Sequence, residues 1–477
     1  MNRFRLSKGI VALWLFIALS ATLAAGSACA KEAVGDWSGL LAGQLHIIVH
    51  VTKDAGGQYG ATLESPDQGS AVMPADKVAI DADHFSFTIT SIGGSFAGTW
   101  NAEKNGWAGT WTQGQTLALI LSRMTSRAAA LAPARRPQEE AIAAGPRPYR
   151  QEAVNFANER AGIKLAGTLT IPDGDGPFPA VVLICGSGPE TRDEEVMGHK
   201  VFLVLADALN RRGIAVLRYD KRGVGESTGS YATATIAEFA ADAEAALRFV
   251  RSHPAIAADR VGLVGHSEGG AVAPMLAVRD PSVQFVVLMA APGIRIGQLL
   301  RLQTARIAKA SGTPEADIAR RLAFFDKLYA DLAVAKSEQQ ALVVAKTDVA
   351  EAVAEQIIPA ASADALVTMT TSPWAREAFA YDPIPALRQV KTPVLALNGS
   401  RDLQVPAEEN LSQISAALQG NSRATVAELP NLNHLFQTAK LGTPAEYGEI
   451  EETIAPTALK IISDWVVTHS DPLRLQN

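Results

Sequence analysis

A glycine-flanked serine between a strand and a helix constrains this chain more than any other feature. The sequence Gly265-His-Ser-Glu-Gly269 follows the apolar residues 261–264 and precedes a segment with helical periodicity. In the G-x-S-x-G pattern, a sharp turn lifts the serine hydroxyl above the end of a sheet. We expect both glycines to be required because a Cβ there would collide with the neighbouring helix or strand. Ser267 is therefore predicted to be a nucleophile.

From residue 152 onward, strands alternate with helices, after an opening hairpin at 154–157 and 164–171. Strands are predicted at 180–185, 214–219, 261–265, 285–289, 394–398 and 425–429. Helices are predicted at 200–212, 236–252, 269–278, 407–418 and 455–467. Apolar strands separated by helices are typical of an α/β domain whose mostly parallel sheet is covered on both faces. The domain should span 151–477, with a helical cap inserted at about 293–381 on the carboxyl side of the sheet.

Residues 31–124 are predicted to form a small all-β domain, a barrel or a sandwich. Short strands rich in β-branched and aromatic residues are predicted at 45–51, 59–63, 84–89, 95–100, 107–111 and 117–121, at spacings near ten residues. The near-copies Phe96-Ala-Gly-Thr-Trp100 and Trp107-Ala-Gly-Thr-Trp111 flank Asn105-Gly106, which predicts a hairpin because both residues tolerate φ > 0. We interpret the tryptophans as core residues in preference to a ligand pocket. The Ala-, Pro- and Arg-rich residues 125–150 have the composition of a linker.

The first thirty residues are typical of a signal peptide. A positive start, about sixteen apolar residues and the ending Ala28-Cys-Ala30 fit the three regions of such a peptide. This pattern predicts export to the periplasm or the medium. A membrane anchor is less favoured, because about twenty residues are needed to span a bilayer. Lipidation of Cys29 is a weaker alternative, since Gly26 stands where a bacterial lipobox normally has leucine.

Composition excludes several classes of function. The net charge of −6 and the lack of a long basic stripe argue against nucleic acid as a partner. The two cysteines have no His or Cys neighbours at zinc-site spacing, and no phosphate-binding or dinucleotide-binding glycine pattern is present. We therefore expect neither a metal nor a cofactor, and no membrane span in the mature chain. A small molecule is the expected partner, and no oligomeric state is predicted.

A serine hydroxyl needs a base, and the base needs a carboxylate that orients it. On this type of fold the chain order is serine, acid, histidine. Asp402 directly follows a predicted strand in Gly399-Ser-Arg-Asp402, and His434 follows the next strand. Asp382 is a less favoured acid, because it precedes a strand and is followed by proline. The predicted catalytic residues are therefore Ser267, Asp402 and His434.

An oxyanion hole needs two backbone N–H groups aimed at the developing negative charge. One should come from Glu268, directly after the nucleophile. The other should come from Ser187 or Gly188, in the loop after the strand at 180–185, and the sequence does not separate these two. Cys185 could be read as a thiol nucleophile, but it ends a buried strand and lacks flanking glycines, which favours a structural thiol.

Several motifs of residues 152–469 resemble the α/β-hydrolase family, and in particular secreted bacterial carboxylesterases of the serine-aminopeptidase-like group. The motifs are Gly186-Ser-Gly-Pro-Glu-Thr-Arg-Asp-Glu194, Arg218-Tyr-Asp-Lys-Arg-Gly-Val-Gly-Glu-Ser227, Gly265-His-Ser-Glu-Gly-Gly270, Ser372-Pro-Trp374 with Tyr381-Asp-Pro383, and Asn398-Gly-Ser-Arg-Asp402. The resemblance implies a serine carboxylesterase that works through an acyl-enzyme. It also implies that Asp220 and Arg222 hold backbone in a structural turn. Glu268 departs from the apolar residue more common after the nucleophile.

Two other functions compete with the esterase. A peptidase, aminopeptidase or amidase could use the same three residues, with Glu190, Glu194 or Glu195 holding a substrate amine. A non-catalytic protein could bind a ligand on a hydrolase scaffold. An intact set of serine, acid and histidine argues against the second.

Overall fold

The computed structural model describes residues 33–41, 45–68, 71–81, 83–113, 115–127 and 135–470. The predicted signal peptide, with Cys29, lies outside these residues. Within them, no helix is both long enough and apolar enough to cross a membrane.

The amino-terminal domain is one curled antiparallel sheet of nine strands. They are β1 (Gly35–Leu41), β2 (Leu45–Lys53), β3 (Tyr59–Glu64), β4 (Val72–Pro74), β5 (Lys77–Ile80), β6 (His84–Ile89), β7 (Gly94–Asn101), β8 (Gly106–Gln113) and β9 (Gln115–Arg123). The order is β4-β3-β2-β1-β9-β8-β7-β6-β5. The two outer strands are consecutive in the chain and β3 contacts β5, so the sheet curls around one core. Of the two predicted forms, this is the barrel-like one.

The tryptophans of this domain pack inside it. Trp100 pairs with Trp107 across the β7–β8 hairpin, and Asn105 in the turn has φ 47°. Trp37 and Trp107 are fully buried, with ring centroids 6.0 Å apart in an edge-to-face arrangement. Such aromatic pairs stabilise a core beyond their buried area. Trp37 and Trp107 are therefore core residues, as predicted from the sequence.

Part of the stretch expected to be a linker is a docked helix, α1 (Pro137–Ala144). Arg136 is buried at its start and donates hydrogen bonds to the carbonyl groups of Met197 and Gly448. Gln138 bonds the backbone of Ile454 in both directions. Linker composition does not predict this anchoring, because the partners come from distant loops of the next domain.

The second domain is built on an eight-stranded sheet. Its strands are β10 (Tyr149–Asn158), β11 (Ile163–Pro172), β12 (Phe178–Ile184), β15 (Ala215–Tyr219), β16 (Ile256–His266), β17 (Val286–Met289), β18 (Val394–Gly399) and β19 (Ala424–Leu429). The order is β10-β11-β15-β12-β16-β17-β18-β19, and all pairs from β15 onward are parallel. A separate two-stranded hairpin joins β13 (Glu195–Val196) to β14 (His199–Lys200).

Helices cover both faces of this sheet. One face packs against α2 (Val201–Asn210) and α12 (Pro456–His469). The other packs against α3 (Ile236–Ser252), α4 (Glu268–Arg279), α10 (Ile384–Gln389) and α11 (Ala407–Ala417). A mostly parallel sheet between two helical layers confirms the predicted α/β-hydrolase fold.

Five helices form an insertion between β17 and α10, ahead of β18. They are α5 (Ile296–Ala310), α6 (Glu315–Ala333), α7 (Glu338–Ala354), α8 (Ala363–Thr371) and α9 (Pro373–Ala378). Leu328, Leu332 and Val349 belong to a separate apolar core of this insertion. Since β17 and β18 are parallel neighbours, the insertion leaves from the carboxyl edge of the sheet, where Ser267 also lies.

Candidate active site

Ser267 occupies a sharp turn between β16 and α4. Its backbone has φ 53° and ψ −117°, a conformation that residues other than glycine rarely adopt. Its N–H donates to the carbonyl of Met289 at 2.9 Å. A Cβ on Gly265 would lie 2.1 Å from the carbonyl oxygen of Gly269, and one on Gly269 would lie 2.0 Å from that of Ile184. Glycine is therefore required on both sides of the turn.

Asp402 and His434 meet at the ends of neighbouring strands. Asp402 follows β18 and His434 follows β19, and both are buried. Nδ1 of His434 lies 2.8 Å from Oδ2 of Asp402. The other carboxylate oxygen accepts the backbone N–H groups of Gln404 at 2.9 Å and Val405 at 2.8 Å. Since an ionised carboxylate only accepts hydrogen bonds, this contact assigns the proton to Nδ1 and leaves Nε2 of His434 as an acceptor.

The loop of His434 also touches the strand that ends at Ser267. The ring of His266, the residue before Ser267, lies 4.8 Å from the ring of His434, centroid to centroid. Nε2 of His266 is 3.0 Å from the backbone carbonyl oxygen of His434. The turn of the predicted nucleophile and the loop of the predicted base are therefore directly joined.

The competing acid, Asp382, lies in a different environment. Its Oδ1 accepts the backbone N–H of Ile384, and its other oxygen pairs with Arg295 at 3.3 Å. Ile384 begins α10, and Arg295 directly precedes α5. The structure brings Asp402, and not Asp382, to His434.

The two candidates for the second oxyanion donor differ in their hydrogen bonding. The N–H of Gly188 donates to the hydroxyl of Tyr231 at 3.1 Å, so this group is already engaged. In the described part of the chain, no acceptor is seen for the N–H of Ser187. The other predicted donor, the N–H of Glu268, lies in the first turn of α4, where backbone N–H groups have no partner within the helix.

The side chain of Glu268 is held by two residues from distant parts of the chain. Its Oε2 lies 2.8 Å from Nζ of Lys221. Its Oε1 accepts a hydrogen bond from the indole N–H of Trp374, on α9 of the insertion. All three side chains are at least partly buried. Glu268 is thus salt-bridged, and it connects the helical insertion to the first turn of α4.

Besides Glu268, Lys221 also bonds the loop that carries Ser187. Its Nζ donates to the carbonyl of Gly186 at 2.5 Å. Burial alone would lower the pKa of Lys221, but the charge and hydrogen bond of Glu268 raise it above its ordinary value. A buried ammonium group therefore sits between the two segments predicted to supply the oxyanion donors.

Cys185 is a buried free thiol. Burial raises its pKa well above the ordinary value, with a contribution from Glu194, and its sulfur lies 3.6 Å from the carbonyl of Thr191. A thiolate nucleophile needs a depressed pKa. The structure therefore favours the structural interpretation of this cysteine.

The turn that contains Asp220 and Arg222 is held largely through charged side chains. Asp220 accepts the backbone N–H groups of Arg192 and Glu226. Arg222 pairs with Asp242, with Nε 2.7 Å from Oδ2, and also reaches the backbone carbonyl of Glu238. Asp220 thus holds backbone as the resemblance implied, whereas Arg222 mainly joins the turn to α3.

Sequence reasoning gave no role to His266, Lys221 or Trp374. His266 occupies a variable position of the G-x-S-x-G pattern, so the pattern carries no signal for it. No group of three or more His, Cys, Asp or Glu side chains in the described part of the chain could hold a metal ion.

The chain is similar to known proteins in the region that contains the turn of Ser267 and the contact between Asp402 and His434. The family described as "Serine aminopeptidase, S33" matches residues 199–438, half of the chain. The chain belongs to the serine aminopeptidase S33 family. The match covers Ser267, Glu268, Asp402 and His434 but neither Ser187 nor Gly188.

Named relatives of this S33 chain include esterases. Esterase EstD of Thermotoga maritima is 27% identical over 307 residues, 64% of this chain and 65% of the relative, so the match spans slightly less than two thirds of that protein. The Pyrococcus furiosus esterase Pf2001 is 16% identical with a TM-score of 0.42, covering 67% of this chain and 90% of that one. Est1E of Butyrivibrio proteoclasticus, solved with ferulic acid, is 15% identical with a TM-score of 0.39, covering 66% and 96%.

Proposed function

We propose that this protein hydrolyses carboxylic esters of small substrates, with Ser267 as nucleophile, His434 as base and Asp402 as the residue that orients the base. The observation that carries the proposal is the 2.8 Å contact between Asp402 and His434 beside the strained turn of Ser267. A serine elbow alone could be an incidental turn. A serine elbow joined to a histidine whose Nδ1 is fixed by a carboxylate is the arrangement that activates a hydroxyl.

In the proposed reaction, Oγ of Ser267 attacks the ester carbonyl carbon while Nε2 of His434 accepts the hydroxyl proton. The C–O bond to the leaving alcohol then breaks, and His434 returns the proton to that oxygen. A water molecule, deprotonated by the same nitrogen, attacks the carbonyl carbon of the acyl-enzyme. The C–O bond to Ser267 then breaks, His434 returns the proton to Oγ of Ser267, and the acid is released. Asp402 keeps the ring in the required tautomer and stabilises the imidazolium that forms in each half of the reaction.

The oxyanion is proposed to bind the backbone N–H groups of Glu268 and Ser187. Ser187 is favoured over Gly188 because the Gly188 N–H already donates to Tyr231. Lys221 supports both donors, since it holds the carbonyl of Gly186 and the side chain of Glu268. Donors fixed before the reaction begins cost no reorganisation when the charge develops.

An aminopeptidase or amidase on the same residues is the second candidate, favoured by the description of the family and by Glu190. Burial, together with Glu194, raises the pKa of Glu190 to about 7. Its Oε1 would lie 2.8 Å from a Cβ on Gly188, so the carboxylate borders the loop that carries Ser187. A substrate ammonium beside Glu190 would favour its ionised form. Esters remain the first choice because the curated relative matched over 307 residues is named an esterase.

A substrate panel separates these possibilities. Purified protein should be assayed with p-nitrophenyl esters of increasing acyl length and with aminoacyl p-nitroanilides, beside a Glu190→Gln variant. We expect turnover of short esters and little effect of Glu190→Gln on it. Faster turnover of the anilides, with KM raised selectively by Glu190→Gln, would support the aminopeptidase. No turnover of either series would favour a binding protein.

Export to the periplasm or the medium is also proposed, on the composition of residues 1–30 alone. Cleavage after Ala30 predicts a mature chain that begins at Lys31. Amino-terminal sequencing of protein recovered from the periplasm or medium tests this. A mature chain that begins at Cys29 with an attached lipid would support the lipoprotein alternative instead.

A further inference from the structure

Two buried, ionisable side chains next to the site have no part in the proposed reaction. Glu194 lies in the loop between β12 and α2, and His266 is the last residue of β16. Their side chains are only 2% and 3% exposed, respectively. A buried charge is costly unless it is paired and hydrogen-bonded, so this pair needs an explanation.

One oxygen of Glu194 joins two of the segments that build the site. Oε1 accepts the backbone N–H of Gly186 at 2.5 Å and lies 3.0 Å from Nδ1 of His266. Oε2 has no hydrogen-bond partner within the described residues. A Cβ on Gly186 would come within 3.2 Å of the Ser267 Cβ and 3.0 Å of Glu194 Oε1, so these groups are in close contact.

The other ring nitrogen of His266 faces the loop of the base. Nε2 lies 3.0 Å from the backbone carbonyl oxygen of His434. A carboxylate oxygen and a carbonyl oxygen can only accept hydrogen bonds, whereas a neutral imidazole has one donor nitrogen. Both contacts are satisfied together only when His266 carries two protons.

We propose that Glu194 and a protonated His266 form a positioning pair that holds the loop of Ser187 and the loop of His434 in register with Ser267. The proposal rests on the proposed serine hydrolase function. It adds two positioning residues that do not touch the substrate. Glu194 fixes the loop through Gly186, and His266 fixes the base through the backbone of His434.

The charges around His266 favour its protonated form. Burial lowers its pKa, but the charge and hydrogen bond of Glu194, the carbonyl of His434 and the charge of Asp402 more than offset this and raise the pKa to about 9. Glu190 interacts with the same ring electrostatically. Further titratable groups beside this loop are Cys185, directly after β12, Lys221, which bonds Gly186, and Tyr231, which accepts the N–H of Gly188.

This arrangement predicts that kcat falls at alkaline pH, which we call the alkaline limb of the pH profile. Above about pH 9, His266 loses a proton and can donate only one of its two hydrogen bonds. Either Glu194 or the His434 carbonyl then loses its hydrogen bond from His266, and the loop that this bond positions is held less firmly. Misplacement of catalytic groups by about 1 Å can cost on the order of 100-fold in rate.

The first test is the pH dependence of kcat and KM for a p-nitrophenyl ester between about pH 6 and 10.5. Wild type, Glu194→Gln and His266→Asn should be compared, with Ser267→Ala as the blank for spontaneous hydrolysis. We expect kcat of wild type to fall near pH 9, and the fall to move toward the ordinary histidine value of about 6.5 in Glu194→Gln. In His266→Asn this limb should be absent, and kcat should be lower by about 10- to 100-fold with a smaller change in KM.

A matched control is available in the same domain. Nε2 of His253, directly after α3, lies 3.1 Å from Oε2 of Glu152 on β10. Glu152→Gln removes that carboxylate and should leave the alkaline limb in place. A variant that is only less stable would lower activity without moving the limb, so the shift separates positioning from general damage.

The second test needs no activity. In protein labelled with 15N-histidine, the ring of His266, assigned by its loss in His266→Asn, should have two protonated nitrogens at pH 7 and lose one near pH 9. A neutral His266 ring at pH 7, or a wild-type alkaline limb that Glu194→Gln leaves unmoved, would overturn the proposal. Turnover that survives Ser267→Ala would instead overturn the proposed function, and the NMR titration would still decide the state of the pair.

Discussion

The Nδ1–H group of His434 donates a hydrogen bond to Oδ2 of Asp402, at 2.8 Å. The two residues lie on loops that follow adjacent parallel strands, β18 and β19. Asp402 is itself held by the backbone N–H groups of Gln404 and Val405. The carboxylate therefore has little freedom to turn away from the histidine. In the proposed reaction, this fixed orientation permits Nε2 of His434 to act as the base.

Asp402→Asn should lower kcat on the order of 10⁴-fold while the fold is retained. Asparagine fits the same space, but its NH₂ group can turn toward Nδ1 and stabilise the wrong tautomer of His434. Steady-state kinetics on a short ester measures the loss. Asp382→Asn is the matched control, because Asp382 bonds Arg295 and the start of α10. Equal losses in the two variants would contradict the assigned role of Asp402.

Gly269→Ala should lower the free energy of unfolding by roughly 1–3 kcal/mol. The added Cβ would lie 2.0 Å from the carbonyl oxygen of Ile184, so α4 must move away from β12. Urea unfolding measures this cost. A Cβ on Gly420 meets nothing within 4 Å, which makes Gly420→Ala the control. A Gly269→Ala protein as stable as the control would show that the turn tolerates a side chain.

Trp374→Ala should shift the preferred acyl chain length. Trp374 joins α9 of the cap to Glu268, directly after Ser267, so we expect its loss to enlarge the space beside Ser267. One methylene in an apolar pocket is worth roughly 1–3 kcal/mol of discrimination. The measurement is kcat/KM over a series of p-nitrophenyl esters.

The control for the cap is a protein that lacks residues 1–134. It retains Arg136 and α1, which anchor to the second domain. Its chain-length preference should equal that of the full protein if the β domain only tethers or stabilises. If this deletion changes the preference and Trp374→Ala does not, the roles of the two accessory regions are reversed.

Because of His199, we expect the free energy of unfolding to decrease at acid pH. Burial, with the charge of Arg136, lowers the pKa of His199 to about 4, whereas an unfolded histidine titrates near 6.5. Between these values the unfolded chain binds more protons, so this contribution to stability is present above about pH 6.5 and lost as the pH falls through about 4. The pKa difference corresponds to roughly 3 kcal/mol of stability.

Urea unfolding of wild type and His199→Asn at several pH values measures this effect. The stability advantage of wild type should shrink as the pH falls from 7 to 4, because asparagine does not titrate. His84→Asn, at an exposed site, is the control. An advantage that stays constant over this range would show that His199 does not contribute to the acid dependence.

The fold was largely predictable because its strands and helices have clear periodicity. The helix at 236–252 and the strand at 84–89 were predicted to the residue. Three strands of the first domain were missed for physical reasons. β1 contains two glycines and an aspartate, and β4 and β5 have only three and four residues. Their pairing depends on neighbouring strands more than on their own propensity.

The sequence could suggest Ser267, Asp402 and His434 because each follows the end of an apolar strand. It could not separate Ser187 from Gly188, since the difference depends on a hydrogen bond that the N–H of Gly188 donates to Tyr231, 43 residues away. The contacts Glu194–His266 and Glu268–Trp374 join residues 72 and 106 positions apart. Such contacts follow from the packing of loops, for which a single sequence has no periodic signal.

The central claim is that Ser267 is the nucleophile, and the most direct measurement is turnover of a short p-nitrophenyl ester by Ser267→Ala. We expect a loss on the order of 10⁶-fold in kcat with a nearly unchanged Tm. Ser412→Ala, an exposed serine of α11, should be fully active. A Ser267→Ala enzyme that retains activity, after contaminating esterases are excluded, would contradict the account.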